Sequence, residues 1–518
     1  MNFLTKPSMF RSCLGLAIGI VLFICSFPIA FSKTPWDITQ LSPIFIVVYL
    51  LPLLSHCQKY PSYVFLKAWG FYFVGLLGIL YWITISMRNY GNLSIPLSLV
   101  GLIGTCLFRG LFAATSIWLW QRYSVPKTQW MLGTALLTIQ DWLLHFIPFG
   151  GFAWISSGYA LIPDIYWIQC ADWVGIHGLN FSVYLLTFLL FAHLQRQHKR
   201  CMKKTIPIVA LVLIIHMYGF FKYTAVKHET VPATLKIGWV QGNIHQSLKW
   251  KPSEKKRILL KYRLQTEQLL LQQPDLVVWP EASVPVSQLQ DAKHVHEINI
   301  NSQDTPVLFG APSYTYKNRK KAFYNSAFLT KPDGEILFRY DKMYLVPFGE
   351  FVPTFGLDLS KKIPILAGSF DAGDKIEVAD LKGHPFGISI CYEILYPRMF
   401  RALAQKGATF FVNITNDAWF NLSSGPFQHL RFSAIRAIET RKPLIRVANT
   451  GISALYMPSG DILYRSELFS DDRRIVEIAP SDKRTFFVFF PYTAHVVVLI
   501  FISLGFLSRR HAVQRERV

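Results

Sequence analysis

The sequence around position 391 reads Gly387-Ile-Ser-Ile-Cys391-Tyr-Glu393. The apolar, β-prone residues 386–390 predict a strand that ends on the cysteine, and a carboxylate follows two residues later. A side chain at a strand end is rigidly held and accessible, so Cys391 is a candidate nucleophile. The alternative for a single cysteine is a small buried hydrophobic residue. The nucleophile is favoured because no other cysteine follows Cys201 and because charged residues follow strand-like runs upstream.

These upstream residues are Glu281 and Lys342. Glu281 follows the apolar run 276–280, and a carboxylate leaving a buried strand has a raised pKa and can accept a thiol proton. Lys342 precedes the run 345–350, and its charge would stabilise the oxyanion formed when a thiolate attacks a carbonyl. An ion-paired or helix-capping glutamate and an exposed lysine are the alternative interpretations.

Glu281, Lys342 and Cys391, in this order, resemble the Glu-Lys-Cys triad of the nitrilase superfamily. The wider sequence resembles one branch of it, the apolipoprotein N-acyltransferase family, over essentially the whole chain. The motifs that carry this resemblance are Val240-Gln-Gly-Asn-Ile-His-Gln-Ser-Leu-Lys-Trp250, Trp279-Pro-Glu281, Leu345-Val-Pro-Phe-Gly-Glu-Phe-Val-Pro353, Cys391-Tyr-Glu393 and Asn416-Asp-Ala-Trp-Phe420.

The sequence departs from the family pattern in three places. His245 stands where a proline is usual, and Tyr344 stands where a histidine often follows the lysine. The membrane motif around Asp141 and His145 is also poorly matched. These differences leave the three triad residues in place but affect expectations about the shape of the substrate pocket and the entry route.

The resemblance implies a four-layer αββα sandwich and two half-reactions. Cys391 would take an acyl chain from a phospholipid as a thioester, and the N-terminal amine of a diacylglyceryl-cysteine apolipoprotein would then attack that thioester. A metal or other cofactor is not expected, because the sequence has no His/Cys cluster with ligand spacing.

The resemblance also suggests supporting residues. Glu350 and Glu393 would hold Lys342 protonated and orient the site, and the backbone N–H of Tyr392 would help to bind the oxyanion. Trp250, Tyr392 and Trp419 are candidates for an acyl-chain pocket, although Trp419 fits core packing equally well. Asn416 is a candidate substrate-binding residue, with shaping of the loop beside the site as its alternative.

The composition is that of a membrane protein. Hydrophobic residues make up 52% and charged residues only 16% of the 518, where a soluble protein has about a quarter charged. The net charge of +22 does not indicate nucleic-acid binding, because the basic residues concentrate in short loops beside apolar runs. Eight runs approach or reach the length that crosses a bilayer: 10–31, 42–57, 63–85, 95–121, 130–148, 172–194, 205–222 and 488–508.

The distribution of basic residues predicts the orientation. Alternate loops and both ends are rich in lysine and arginine, whereas 149–171 has neither. The positive-inside rule therefore places both termini in the cytoplasm and 223–487 outside, which is the periplasm in a Gram-negative cell. A cleaved signal peptide is the alternative for the first run. The basic residues concerned are Lys6, Arg11, Lys59, Arg122, Lys127, Arg196, Lys199, Arg200, Lys203, Lys204, Arg509, Arg510, Arg515 and Arg517.

Several polar residues lie within or beside the predicted spans. Such groups are unfavourable in hydrocarbon, so they are functional candidates unless they pair inside a helical bundle or lie at span ends. The two halves of the membrane part show no repeat, which argues against a transporter. The residues are Arg109, Asp141, His145 and Asp172.

The chain is expected to contain an N-terminal membrane domain (1–222), an α/β catalytic domain (223–487), and a final span with a basic tail (488–518). In the middle domain, short β-prone runs alternate with helical patterns at 253–273 and 427–441. A membrane-tethered amidase on the same scaffold and a transporter or lipid-binding protein are the rival functions. The predicted strands are 235–240, 276–279, 307–311, 325–330, 386–390, 409–414, 443–448 and 453–457.

Overall fold

A computed structural model describes residues 7–28, 38–89, 91, 93–195, 201–229, 232, 234–285, 304–317, 319–351 and 370–516. The chain divides into two compact units. The helical unit comprises Met1–Thr84, Ser94–Ala225 and Phe490–Val518, and the sheet unit comprises Ile85–Leu93 and Val226–Phe489. Part of the basic loop between the sixth and seventh predicted spans (196–200) and the last residues of the first predicted span (29–31) lie outside the described residues.

Among the described residues, ten α-helices lie wholly or partly in the helical unit. A helix satisfies its backbone hydrogen bonds internally, which suits a long apolar stretch to a membrane. The ten helices are α1 (Pro7–Cys25), α2 (Ser42–Val48), α3 (Leu51–Lys59), α4 (Val64–Leu80), α5 (Trp82–Asn89), α6 (Ile95–Tyr123), α7 (Gln129–Leu143), α8 (Ala171–Leu194), α9 (Cys201–Lys227) and, near the C-terminus, α15 (Thr493–Glu516).

Five described helical segments are long and apolar enough to cross a membrane: Thr39–Lys59, Ile95–Tyr123, Trp167–Leu194, Thr205–Lys227 and Thr493–Ala512. The pair α4 and α5, bent by 54°, gives a sixth if it is counted as one span. The first and fifth predicted spans correspond to shorter helices, Met9–Cys25 and the 15-residue α7. Eight spans therefore stays a prediction.

The polar residues of the predicted spans have partners within the helical unit. Asp172 accepts a hydrogen bond from the Tyr218 hydroxyl at 2.7 Å, and its carboxylate lies 3.6 Å from the Lys222 ammonium. Asp141 accepts from the Tyr184 hydroxyl at 3.0 Å. The guanidinium of Arg109 donates to the backbone carbonyls of Phe152 and Ile155, and the ring of His145 lies 4.6 Å from that of His177. Pairing inside the bundle therefore accounts for Asp172, Asp141 and Arg109.

The sheet unit contains two six-stranded sheets with the orders β12-β1-β2-β3-β4-β5 and β11-β10-β9-β8-β7-β6. Strands β1, β2 and β3 run parallel, as do β7, β8 and β9. The strands are β1 (Leu235–Gln241), β2 (Leu276–Val278), β3 (Val307–Lys317), β4 (Lys320–Thr330), β5 (Ile336–Asp341), β6 (Val378–Leu381), β7 (His384–Ile390), β8 (Phe410–Thr415), β9 (Leu444–Ala448), β10 (Ala454–Tyr456), β11 (Ile462–Arg465) and β12 (Asp472–Ile478).

Helices cover the outer faces of both sheets, which gives the αββα layering. The sheets meet through β1 with β9 and β4 with β7. Helix α11 packs on β1 and β12, whereas α12 and α13 pack on strands of the second sheet. The helices are α10 (Gln246–Lys249), α11 (Lys255–Leu270), α12 (Pro397–Gln405), α13 (Gly425–Thr440) and α14 (Phe486–Phe489).

Aromatic rings fill the core around α11 and the first sheet. The rings of Tyr262 and Trp279 stack with centroids 5.0 Å apart, and Phe309 stacks on Phe328 at 5.7 Å. Burying such a side chain contributes about 1.5–3 kcal/mol. The Trp279 indole N–H also donates to the Thr266 hydroxyl at 2.9 Å, so its polar atom is satisfied. This packing fixes the strand that leads to Glu281.

Candidate active site

The candidate residues lie at the carboxyl ends of strands from both sheets. Cys391 directly follows β7, Lys342 follows β5, and Asn416 follows β8. Glu281 comes three residues after β2. Carboxyl ends of parallel strands share one edge of a sheet. β5 runs in the same direction as β1, β2 and β3, because β4 between β3 and β5 is antiparallel to both, so β5 delivers Lys342 to the same edge. The fold therefore brings together residues that are up to 135 positions apart.

Lys342 lies between two carboxylates. Its ammonium nitrogen is 2.8 Å from Glu350 Oε1 and 3.4 Å from Glu281 Oε1, and all three side chains are buried. The amide Nδ2 of Asn325 donates to the same two oxygens, at 2.7 Å for Glu281 and 2.8 Å for Glu350. The N–H of Val346 donates to the other oxygen of Glu350 at 2.8 Å. Glu350 is therefore fixed beside the lysine by donors to both of its oxygens.

The charges of the site set the protonation states of the cation and the thiol. Burial disfavours the ammonium of Lys342, but the carboxylates of Glu350 and Glu281 outweigh it and raise the pKa of this group. Burial, together with the charge of Glu281, raises the pKa of the Cys391 thiol. The resting site therefore holds a neutral thiol and a charged lysine, and the thiol needs a base before it can attack.

The backbone of Cys391 has the left-handed conformation, with φ +52°. A residue other than glycine is uncommon there and costs about 1–3 kcal/mol, so the surrounding structure must impose it. Glu393 does so, because its carboxylate accepts from the N–H groups of Ile390 and Met343 and from the Tyr340 hydroxyl, each at 2.7 Å. Burial raises the pKa of Glu393 to about 7, although these hydrogen bonds oppose the shift.

A fully buried polar network lies beneath the cysteine. The imidazole Nε2 of His429 is 3.3 Å from the carbonyl oxygen of Cys391, and its Nδ1 is 2.9 Å from Asp417 Oδ1. The Arg446 guanidinium lies 2.7 Å from Asp417 Oδ2 and 2.9 Å from His429 Nδ1. Burial and the Arg446 charge lower the pKa of His429, which favours the neutral form of the ring.

The predicted substrate-binding residues occupy different environments. Asn416 is buried: its N–H donates to Glu281 Oε2 at 2.9 Å and its side chain donates to Gln246 Oε1 at 2.8 Å. This geometry fits orientation of Glu281 better than substrate contact. Trp250 is 47% exposed. Trp419 is half-buried, and its carbonyl accepts from the Ser86 hydroxyl at 2.7 Å.

The two departures from the family pattern inside the sheet unit have structural explanations. His245 has φ −62°, the value that proline would fix, and its Nδ1 accepts from the Ser247 N–H at the start of α10. Tyr344 stacks on Tyr396 with ring centroids 4.1 Å apart. Tyr392, the residue after the cysteine, meets Tyr396 edge-on at 5.6 Å.

Four further polar residues of the site are not predicted from the sequence: Asn325, His429, Arg446 and Lys249. The available signal was a polar residue inside a β-prone run, as with Asn325 in 325–330 and Arg446 in 443–448. Lys249 is fully buried, and its ammonium donates to the carbonyl oxygen of Glu281 at 3.1 Å. Among the residues that the structure describes, no group of three or more His, Cys, Asp or Glu side chains could hold a metal ion.

Segments of both units match known protein families. Residues 236–486 match the carbon-nitrogen hydrolase family, and residues 13–189 match the apolipoprotein N-acyltransferase N-terminal domain. The apolipoprotein N-acyltransferase of Geobacter metallireducens is 32% identical over 81% of this chain and 82% of its own length. That of Vibrio cholerae is 27% identical over 100% of this chain and 99% of its own. Nit3 of Saccharomyces cerevisiae, a nitrilase-superfamily crystal structure, covers 48% of this chain and 93% of its own at 17% identity and a TM-score of 0.38.

The two matched segments and the apolar helices define a multi-pass membrane protein with a carbon-nitrogen hydrolase domain. With a relative that is 32% identical over most of both chains, the assignment becomes narrower: the chain belongs to the apolipoprotein N-acyltransferase family.

Proposed function

We propose that this protein transfers an acyl chain from a membrane phospholipid, through a thioester on Cys391, to the N-terminal amine of a diacylglyceryl apolipoprotein. Family membership supports the reaction class. The observation that carries the residue assignment is the buried set of Glu281, Lys342 and Cys391 at neighbouring strand ends. The proposed catalytic domain is 223–487, flanked by the membrane segments 1–222 and 488–518.

In the first half-reaction, Glu281 takes the proton of the Cys391 thiol as its sulfur attacks the ester carbonyl of the phospholipid. The C–S bond forms, and the carbonyl electrons move to oxygen. Lys342 lies within the same charge cluster and supplies the positive charge for that oxyanion, with the Tyr392 N–H as a second donor. The C–O bond then breaks, the leaving glycerol oxygen takes the proton from Glu281, and a lysophospholipid departs.

In the second half-reaction, the apolipoprotein amine attacks the thioester. Glu281 takes one proton from the amine, an amide bond forms, and the C–S bond breaks. The leaving sulfur regains the proton, so Cys391 returns to its resting state. The acceptor enters only after the lysophospholipid has left, since one thiol serves both lipids, and this order gives ping-pong kinetics.

The orientation is part of the same proposal. The basic loops indicate cytoplasmic termini and a periplasmic sheet unit, at the inner membrane of a Gram-negative cell. Both substrates would be lipids held in one leaflet, so the membrane segments would keep the site at the bilayer surface. Partly exposed Trp250 is the proposed contact for an acyl chain.

The test uses the full-length protein with a phospholipid and a synthetic diacylglyceryl-cysteine lipopeptide, followed by mass spectrometry of the lipopeptide. We expect an amide-linked acyl group on the lipopeptide and parallel double-reciprocal plots when both substrates are varied. The matched Cys391→Ser variant should lose nearly all transfer, because a hydroxyl is a much weaker nucleophile at this pH. Intersecting plots, or ammonia release from small amides without acyl transfer, would contradict the proposal.

A further inference from the structure

Four side chains form a rim beside the candidate nucleophile: Tyr344, Tyr392, Tyr396 and Arg398. Tyr392 directly follows Cys391, and Tyr344 comes two residues after Lys342. The guanidinium carbon of Arg398 lies 4.7 Å from the ring centre of Tyr344 and 5.5 Å from that of Tyr396. The rim therefore joins the loop of the cysteine to the loop of the lysine.

The rim runs from the buried interior to solvent. Tyr392 and Tyr396 are 4% and 2% exposed, Tyr344 is half-buried, and Arg398 is exposed. Tyr392 and Tyr396 share a side-chain hydrogen bond, as do Tyr344 and Arg398. An accessible cation thus lies at the outer end of a chain of packed rings that begins next to the reacting thiol.

The chemistry of the rim favours an anion. Phenol hydroxyls and a guanidinium can all donate hydrogen bonds. The neighbouring carboxylate of Glu393 is already engaged by backbone N–H groups, among them that of Tyr344 at 3.1 Å. One N–H donor of Arg398 serves the Tyr344 hydroxyl. A guanidinium carries five N–H donors in a planar fork, and that fork matches the geometry of a phosphate.

We propose that Arg398, held by Tyr344 and Tyr396, binds the phosphodiester of the donor phospholipid and so determines which esters acylate Cys391. This inference rests on the proposed function. The glycerol backbone separates the phosphate from the scissile ester by only a few bonds, so a rim beside the thiol is a suitable place for it. Contact with the two rings and the hydrogen bond to Tyr344 orient the guanidinium before the lipid arrives, which reduces the conformational entropy lost on binding.

The proposal predicts a change in donor preference. Acyl-enzyme formation by the full-length protein in detergent micelles is measured by intact-protein mass spectrometry with two donors of the same acyl chain: a phosphatidylethanolamine and a p-nitrophenyl ester, which has no phosphate. For Arg398→Gln, the ratio of kcat/KM for the phospholipid to that for the neutral ester should fall about tenfold, the scale of one lost charge-assisted hydrogen bond. The same ratio for Arg398→Lys should lie between the ratios of the wild type and Arg398→Gln, because lysine keeps the positive charge but lacks the planar fork of donors.

Arg474→Gln is the matched control. The Arg474 guanidinium carbon also lies over a tyrosine ring, 5.2 Å from that of Tyr464, but on strands outside the rim. The ratio of kcat/KM for the phospholipid to that for the neutral ester should be the same in Arg474→Gln as in the wild type. An equal loss with both donors in Arg398→Gln, or an unchanged ratio, overturns the phosphate assignment.

Two further results distinguish a lipid phosphate from soluble phosphate, and a failed inference from a failed proposed function. Inorganic phosphate at millimolar concentration should leave the wild-type reaction with phosphatidylethanolamine unaffected. Selective inhibition of that reaction would assign the rim to soluble phosphate and overturn the lipid assignment. If the wild type takes an acyl group from neither donor, the proposed function fails and this inference fails with it, a result distinct from a changed ratio in an active enzyme.

Discussion

At the scale of single residues, Asn325 holds two carboxylates with one amide group. Its Nδ2 donates to both Glu281 and Glu350, the two acids that flank Lys342. Asn325→Asp would place a third carboxylate against them, whereas Asn325→Ala removes only the donor. We expect Asn325→Ala to slow acyl-enzyme formation about tenfold, and Asn325→Asp to slow it more, because like charges repel in a buried site. Single-turnover acylation followed by mass spectrometry measures both rates, and a wild-type rate in Asn325→Asp contradicts this role.

Lys249 gives a residue-scale prediction about pH and stability. Burial lowers the pKa of its ammonium from 10.5 to about 8, although Glu281 opposes the shift. Below pH 8 the folded and unfolded chains both bind the proton, whereas between pH 8 and 10.5 the unfolded chain alone keeps it. The contribution of Lys249 to the free energy of unfolding therefore rises with pH between pH 8 and 10.5, by on the order of 3 kcal/mol.

Lys249→Met tests this linkage. The methionine variant should melt at a higher temperature than the wild type at pH 7, and that advantage should narrow as the pH approaches 10, as measured by thermal unfolding in detergent. Burial also lowers the pKa of Lys442 to about 8. Lys442 is present in both proteins, so its contribution to the pH dependence of stability cancels in the comparison. A difference that stays constant from pH 7 to pH 10 would show that Lys249 does not titrate in this way.

At the scale of elements, the turn after β7 stores conformational strain at Cys391. Glycine adopts φ +52° without the penalty that a Cβ atom brings, which is about 1 kcal/mol or more. Cys391→Gly should therefore unfold at a higher temperature than Cys391→Ala, by a few degrees at most in a protein of this size. Both variants lack the thiol, so catalysis does not confound the comparison. Equal melting temperatures would mean that the surrounding structure does not enforce the left-handed backbone.

The strand ends were the most predictable part of this architecture. All eight predicted strands are present, and the runs before Glu281 and Cys391 could be recognised from β-prone apolar residues alone. Strands β5, β6, β11 and β12 were not predicted. β12 is rich in charged residues, and only three-dimensional pairing with β1, from Leu235 with Ile478 onward, makes it a strand.

The polar network under the site could not be predicted for the same reason. His429 and Arg446 come from a helix and a strand that local periodicity treats separately, and they meet Asp417 only when α13 packs on the second sheet. Likewise, the sequence could not show that Asn416 hydrogen bonds to Glu281. Contacts between distant elements depend on packing, which local sequence patterns do not specify.

For the whole molecule, the distribution of basic residues predicts the topology. A reporter fused after Phe351 should be active only in the periplasm, and a reporter fused after Cys201 only in the cytoplasm, because the basic loops are retained on the cytoplasmic side. Paired alkaline phosphatase and fluorescent protein fusions measure both positions. The reverse pattern would place the sheet unit in the cytoplasm and remove the basis for its access to exported apolipoproteins.

The most direct measurement is the mass of the full-length protein after incubation with a phospholipid alone. We predict a gain of one acyl group, released by hydroxylamine as a thioester is, and located by proteolysis on the peptide that contains Cys391. Cys391→Ala should gain nothing. Glu281→Gln should gain nothing on the same timescale, because no base remains to take the thiol proton. An unmodified wild-type protein that still acylates a lipopeptide, or an acyl group that persists in Cys391→Ala, would contradict the covalent mechanism.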